Sequence, residues 1–171
     1  METELAIATV DLRESSGREL VVPLQGFHSA ARLGWRSGNT HLHVRGMTRG
    51  QADEYLRTLP TGDGVELVFV SYLARAKEDR DYISNSYARA DLEALSSSIL
   101  RFGNGEEHRH NFGSGGEGYG HVMFLNLPEL VHPVSIGAGI TGGGPDYPPL
   151  RRGIDQARAQ GATIVWCHNA F

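Results

Sequence analysis

Gly38-Asn39-Thr40-His41-Leu42-His43-Val44, followed by Arg45-Gly46-Met47-Thr48-Arg49-Gly50-Gln51, is the stretch on which the reading of the fold turns. Over 39–44 an extended chain puts His41 and His43 on one face and Leu42 on the other. Thr48 with Gln51 three residues on has the spacing of a capping box. Ala52, Tyr55, Leu56 and Leu59 then supply the apolar stripe of a helix that Pro60 and Gly62 stop. Val65-Glu66-Leu67-Val68-Phe69-Val70 follows as a second strand, rich in β-branched and aromatic residues. Strand, helix, strand predicts an α/β sheet with largely parallel strands.

Downstream the alternation continues. A polar segment over 74–85 leads to a helix near 89–98 with Leu92 and Leu95, and 99–102 and 121–127 read as strands. The segment 103–120 between them holds seven glycines and reads as a loop, a ligand-approaching segment or a lid, because glycine permits positive φ and close backbone approach. Asp146-Tyr147-Pro148-Pro149 begins a helix with Leu150, Ile154 and Ala157 on one face, closed by Gly161. Residues 163–167 form the last strand. Upstream, 4–10 and 19–24 read as short strands around a turn at 14–17, giving a small β segment over 1–34 ahead of an α/β domain over 35–171. No covering helix follows the last strand, although parallel sheets normally have both faces covered. The expectation is therefore the N-terminal portion of a longer domain, whose unpaired edge favours self-association.

Composition narrows the function. At 171 residues the chain can build a real core, and 40% hydrophobic with 21% charged residues describes a globular protein. A formal net charge of -4 argues against a nucleic-acid partner, and no apolar run approaches a membrane span. The acidic start Met1-Glu2-Thr3-Glu4 lacks the features of a signal peptide, and the single cysteine, Cys167, cannot form an internal disulfide. A cytoplasmic protein with a small-molecule substrate is the expectation.

Chemistry gathers on histidine. Two neutral imidazoles on one strand face can chelate one transition metal. Glu107, His121 and His168 fall near strand ends, where functional side chains collect in open α/β folds. Each has a plainer reading: a solvated carboxylate, a packing histidine beside Gly120, a strand-end histidine bonded to a loop. Cys167 reads as a small core residue. The glycine-rich segments have no Gly-Lys-Ser/Thr of a P-loop, and no Ser/Cys–His triad signature is visible.

The ordered set His41-x-His43, Glu107, Gly120-His121 and His168 resembles the PHP (polymerase and histidinol phosphatase) superfamily, in particular its CehA/McbA-type metallohydrolases. Gly34-Trp35-Arg36-Ser37-Gly38-Asn39-Thr40-His41-Leu42-His43 is similar to that branch's opening motif. The resemblance spans roughly 34–171. It implies a distorted β/α barrel, present here in part, and metal ligands at His41, His43, Glu107, His121 and His168. It also implies divalent zinc, manganese or iron as cofactor. The implied activity is hydrolysis by a metal-activated water of a small-molecule ester, amide or carbamate, or phosphoester. Arg109 and His110, close to Glu107 in sequence, are the candidates for stabilising developing negative charge.

The chain departs from that pattern in two respects. Val68-Phe69-Val70-Ser71-Tyr72-Leu73-Ala74 lacks the Asp and His usual after the second strand, and a further Asp and His would lie past Phe171. A non-catalytic metal- or ligand-binding module of the same origin is the competing expectation, and an α/β domain with incidental histidines a third.

Overall fold

The computed structural model describes residues 5–9, 11, 19, 21–24, 26, 30–74, 81–112, 116–137 and 148–167. By contacts the chain divides into two units, Met1–Arg36 and Ser37–Phe171. In the first unit a 3-10 turn spans Ala30–Leu33. The described residues at 5–9, 19 and 21–24 belong to no strand, and Leu5, Ile7, Val21 and Leu24 are exposed. The strands expected over 4–10 and 19–24 are thus not formed by the residues described there. Two short strands are marginal in water unless further strands or a helix cover them.

The second unit carries a six-stranded mixed sheet curled into a half-barrel, with three helices. In chain order the elements are β1 (Gly38–Leu42), α1 (Arg49–Gly62), β2 (Leu67–Tyr72), α2 (Arg89–Leu95), β3 (Arg101–Phe112), β4 (Gly116–Leu125), β5 (Ser135–Ile136), α3 (Arg151–Ala159) and β6 (Thr163–Trp166). The strand order is β1-β2-β3-β4-β6. β5 adds to the outer half of β3, on the edge whose inner half pairs β2.

The opening β1-α1-β2 unit forms as its sequence requires. Gln51 N–H donates to Thr48 Oγ1 and Thr48 N–H donates to Gln51 Oε1, which completes the capping box. α1 carries Pro60 inside its last turn and ends at Gly62. β1 pairs β2, and β2 pairs β3, in parallel.

Beyond β2 the expected partial β/α barrel with largely parallel strands is overturned. β3 and β4 form a long antiparallel hairpin, and β4 pairs β6 antiparallel. The glycine-rich segment read as a loop supplies most of that hairpin. Three of its glycines, Gly103, Gly105 and Gly118, answer to packing, whereas Gly120 takes a positive φ of 87°. A Cβ at Gly103 would lie 2.7 Å from the Phe69 ring, one at Gly105 2.8 Å from Ser71 Oγ, and one at Gly118 2.2 Å from His110 Nδ1. With β3 and β4 joined directly, no crossover helix separates them, and a β/α barrel repeat cannot form.

The sheet has two distinct faces. Val68, Val70, Phe102, Val122 and Phe124 share one of them through the pairings Val68↔Phe102 and Glu106↔Phe124. Val68, Val70 and Phe102 form one core cluster with Leu56 of α1 and Leu92 and Leu95 of α2. Val122 and Phe124 join a second with Ile136, Leu150 and Ala157, the last from α3. Burying a side chain such as Leu56 or Leu92 completely stabilises by roughly 1.5–3 kcal/mol. The helices thus cover one face, and the opposite face is left for chemistry. Among the described residues no helix is long and apolar enough to cross a membrane.

Candidate metal centre

Pleating decides what reaches the second face. Leu42 pairs Val70, a helix-side residue, so the flanking His41 and His43 project to the other side. A register shift in β1 lies between Asn39 and Leu42, and Asn39 Oδ1 accepts the His41 N–H at 2.9 Å. Such an irregularity re-aims side chains at a strand end. In β3, Glu107 lies between the helix-side Glu106 and His108 and so joins His41 and His43. His121 pairs Arg109 across the hairpin and belongs to the same face.

These placements converge. His41 Nε2 lies 3.1 Å from His43 Nε2 and 2.9 Å from Glu107 Oε2, and His43 Nε2 lies 2.6 Å from the same oxygen. His121 Nε2 stands 3.6 Å from Glu107 Oε1. The ring centroids of His41 lie 5.0 Å from His43 and 5.7 Å from His121. Glu107 and His121 are buried, while His41 and His43 are partly open.

His43 Nδ1–H donates to the Ser71 carbonyl at 3.1 Å. A carbonyl only accepts, so this bond places the proton on Nδ1 and leaves the Nε2 lone pair aimed at the cluster. Two lone-pair donors, His43 Nε2 and Glu107 Oε2, then face each other at 2.6 Å. Only a proton or a cation reconciles them. The edge of a tetrahedral site with ligands at 2.0–2.1 Å is about 3.3 Å, so an ion fits after the donors open by up to roughly 0.7 Å.

The protonation of the metal-free cluster follows from these contacts. Hydrogen bonding to Cys167 and to Glu107 outweighs burial and lifts the His41 pKa from 6.5 to about 9. Burial pushes the Glu107 carboxyl up. Hydrogen bonding with His41 and His43, together with the charges of Arg109 and His121, outweighs it and holds Glu107 well below the usual carboxylate range.

His41, His43, Glu107 and His121 are therefore brought together as a buried cluster that could hold a metal ion. His168 lies outside the described residues. Arg109 is buried, and its Nη1 donates to Glu107 Oε1, so it holds the carboxylate from behind. His110 projects to the other face from Glu107 and packs on Tyr119, with ring centroids 5.0 Å apart. Sequence alone marks neither Ser71 nor Cys167 as a site residue. The signal for Ser71 was its position two residues past Phe69 on a strand whose end faces the histidine pair. Cys167 stands opposite the sheet face of Trp166, a fact that becomes informative only once the site face is known.

No family model, no curated protein and no solved structure matches the chain.

Proposed function

We propose that the protein is a metal-dependent hydrolase acting on a small-molecule ester, amide or carbamate, or phosphoester, with zinc, manganese or iron as its ion. The observation that carries this reading is the convergence of three ligand atoms, from His41, His43 and Glu107, within 4.8 Å of one another at one strand end. The resemblance of the ordered set His41, His43, Glu107, His121 and His168 to that of the PHP superfamily supports the reaction class.

When bound, a divalent ion supplies Lewis acidity, lowering the pKa of a coordinated water from 15.7 towards about 7 and polarising a carbonyl or phosphoryl oxygen. The chain's own residues set the terms. Imidazoles are neutral ligands, and the charge of Glu107 is offset by the Arg109 guanidinium on its other oxygen, so the set would leave a divalent ion electrophilic towards an electron-rich substrate oxygen. Arg109 draws off part of the Glu107 charge through Oε1 and fixes the carboxylate plane. The Ser71 carbonyl locks the His43 tautomer. The partial exposure of His41 and His43 leaves an approach from solvent. His110, on the far face, has no part in this.

One observation favours a second reading, a non-catalytic metal-binding module: Val68–Ala74 carries no carboxylate or imidazole, so β2 adds no side-chain ligand for a further ion. A hydrolysis panel separates the two. Metal-loaded protein is assayed against p-nitrophenyl phosphate, p-nitrophenyl acetate and a naphthyl carbamate, beside chelated protein and a His41→Ala/His43→Ala variant. Turnover of at least one ester class, lost on chelation and in the double variant, is expected. Stoichiometric metal with no turnover of any class would assign the non-catalytic role.

A further inference from the structure

The sheet register carries one more side chain to this face. β4 and β6 pair antiparallel through Leu125↔Thr163, Met123↔Val165 and Val122↔Trp166. One step beyond the last pair, the same register sets Cys167 beside His121. Val165 and Cys167 share a side of β6, and Val165 pairs Met123, which lies two residues from His121 on β4. His41, His121 and the Cys167 sulfur accordingly form a second triad of ligand atoms, all within 4.8 Å of one another. His41 belongs to both triads, so the two sets are arms around one imidazole: a nitrogen–oxygen arm through His43 and Glu107, and a nitrogen–sulfur arm through His121 and Cys167. Besides its hydrogen bond with His41, the sulfur makes a long contact of 3.8 Å to the Val165 carbonyl.

We propose that Cys167 Sγ is a thiolate ligand of the ion held by His41 and His121, making this a mixed nitrogen, oxygen and sulfur centre. The inference rests on the metal-binding reading above and adds the sulfur arm to it. On binding, the thiol loses its proton to solvent and Sγ donates a lone pair to the ion; no electron is transferred. A thiolate is a soft donor, so the arm selects zinc, cobalt or ferrous iron over manganese, magnesium or calcium, which prefer oxygen. It also narrows the choice of ion that a histidine–carboxylate set alone leaves open.

Cobalt(II) reports on the sulfur directly. Wild-type protein loaded with cobalt is expected to show the near-ultraviolet charge-transfer band of a cobalt–thiolate bond. Cys167→Ser should retain cobalt through the other donors but lose the band, and its zinc affinity should fall by at least about tenfold while its manganese affinity holds. Cobalt bound by the wild type without the band would overturn the sulfur ligand and leave the metal centre standing. No cobalt bound by the wild type would overturn both. Cys167 is the chain's one cysteine, so iodoacetamide labelling of wild-type protein gives a readout independent of any variant. Zinc should slow the labelling by at least about tenfold, since a coordinated thiolate is no longer a free nucleophile. Equal rates with and without zinc would contradict the proposal.

Discussion

Two glutamates stand side by side in β3, and the sheet gives them opposite fates. Glu106 faces the helices and is fully buried. His108 Nδ1–H donates to its Oε1 at 2.9 Å, Val131 N–H donates to its Oε2 at 2.6 Å, and the His108 ring stacks on Phe124. One carboxylate there meets one imidazole and one amide, and the pair closes on itself against α3. Glu107 faces the other way and meets three imidazoles and a guanidinium, with an opening to solvent through His41 and His43. Residue type is the same in both places. The number of lone pairs converging on one point, and access to it, separate a structural pair from a candidate metal centre.

The comparison can be broken from either side. Its largest expected effect on stability comes from Glu106→Ala, which leaves His108 and the Val131 amide buried without their acceptor. Removing one partner of a buried pair costs about 3–5 kcal/mol. Denaturant unfolding should show that loss, while the folded fraction still takes up metal; a change under about 1 kcal/mol would mean Glu106 is not the buried anchor described.

Next in size is the pH dependence of metal uptake. His41 has a pKa of about 9 in the metal-free protein, and its proton must leave before the nitrogen can ligate. Affinity should therefore rise with pH, by at least about tenfold per unit below 9, with the proton released from Cys167 steepening the rise. Calorimetric titrations between pH 7 and 9 check this, and a flat profile would remove His41 from the ligand set.

Gly153→Ala probes the helix side alone. A Cβ there would sit 2.2 Å from His108 Nε2, so α3 or the buried ring must shift. Overpacking of this kind costs about 1–3 kcal/mol, and metal affinity should not move. The smallest effect is expected at Arg89, whose exposed pair with Glu93 at 3.0 Å should yield no more than about 0.5 kcal/mol on Arg89→Ala. A larger loss in thermal denaturation would show that α2 depends on more than its apolar face.

The half of the molecule that sequence discloses is the half built by local rules. The Thr48–Gln51 cap, the α1 stripe and the Val65–Val70 run each carry their signal within a few residues, and β1-α1-β2 follows. The β3–β4 hairpin does not, because Gly103, Gly105 and Gly118 mark close approach to Phe69, Ser71 and His110, residues remote in sequence or across the turn. Read locally, the same glycines mean a loop. The site divides likewise. The His41/His43 pair is legible from a period of two, and Glu107 and His121 from their order along the chain. The role of Arg109 behind Glu107, the projection of His110 to the far face and the approach of Cys167 all depend on strand register, which only pairing sets.

The most direct test is the zinc content of purified, zinc-equilibrated and desalted protein, measured for the wild type, Glu107→Ala and Glu106→Gln in parallel. The account expects at least one ion per chain in the wild type and in Glu106→Gln, and essentially none in Glu107→Ala. Equal zinc in all three, or none in the wild type, would contradict it.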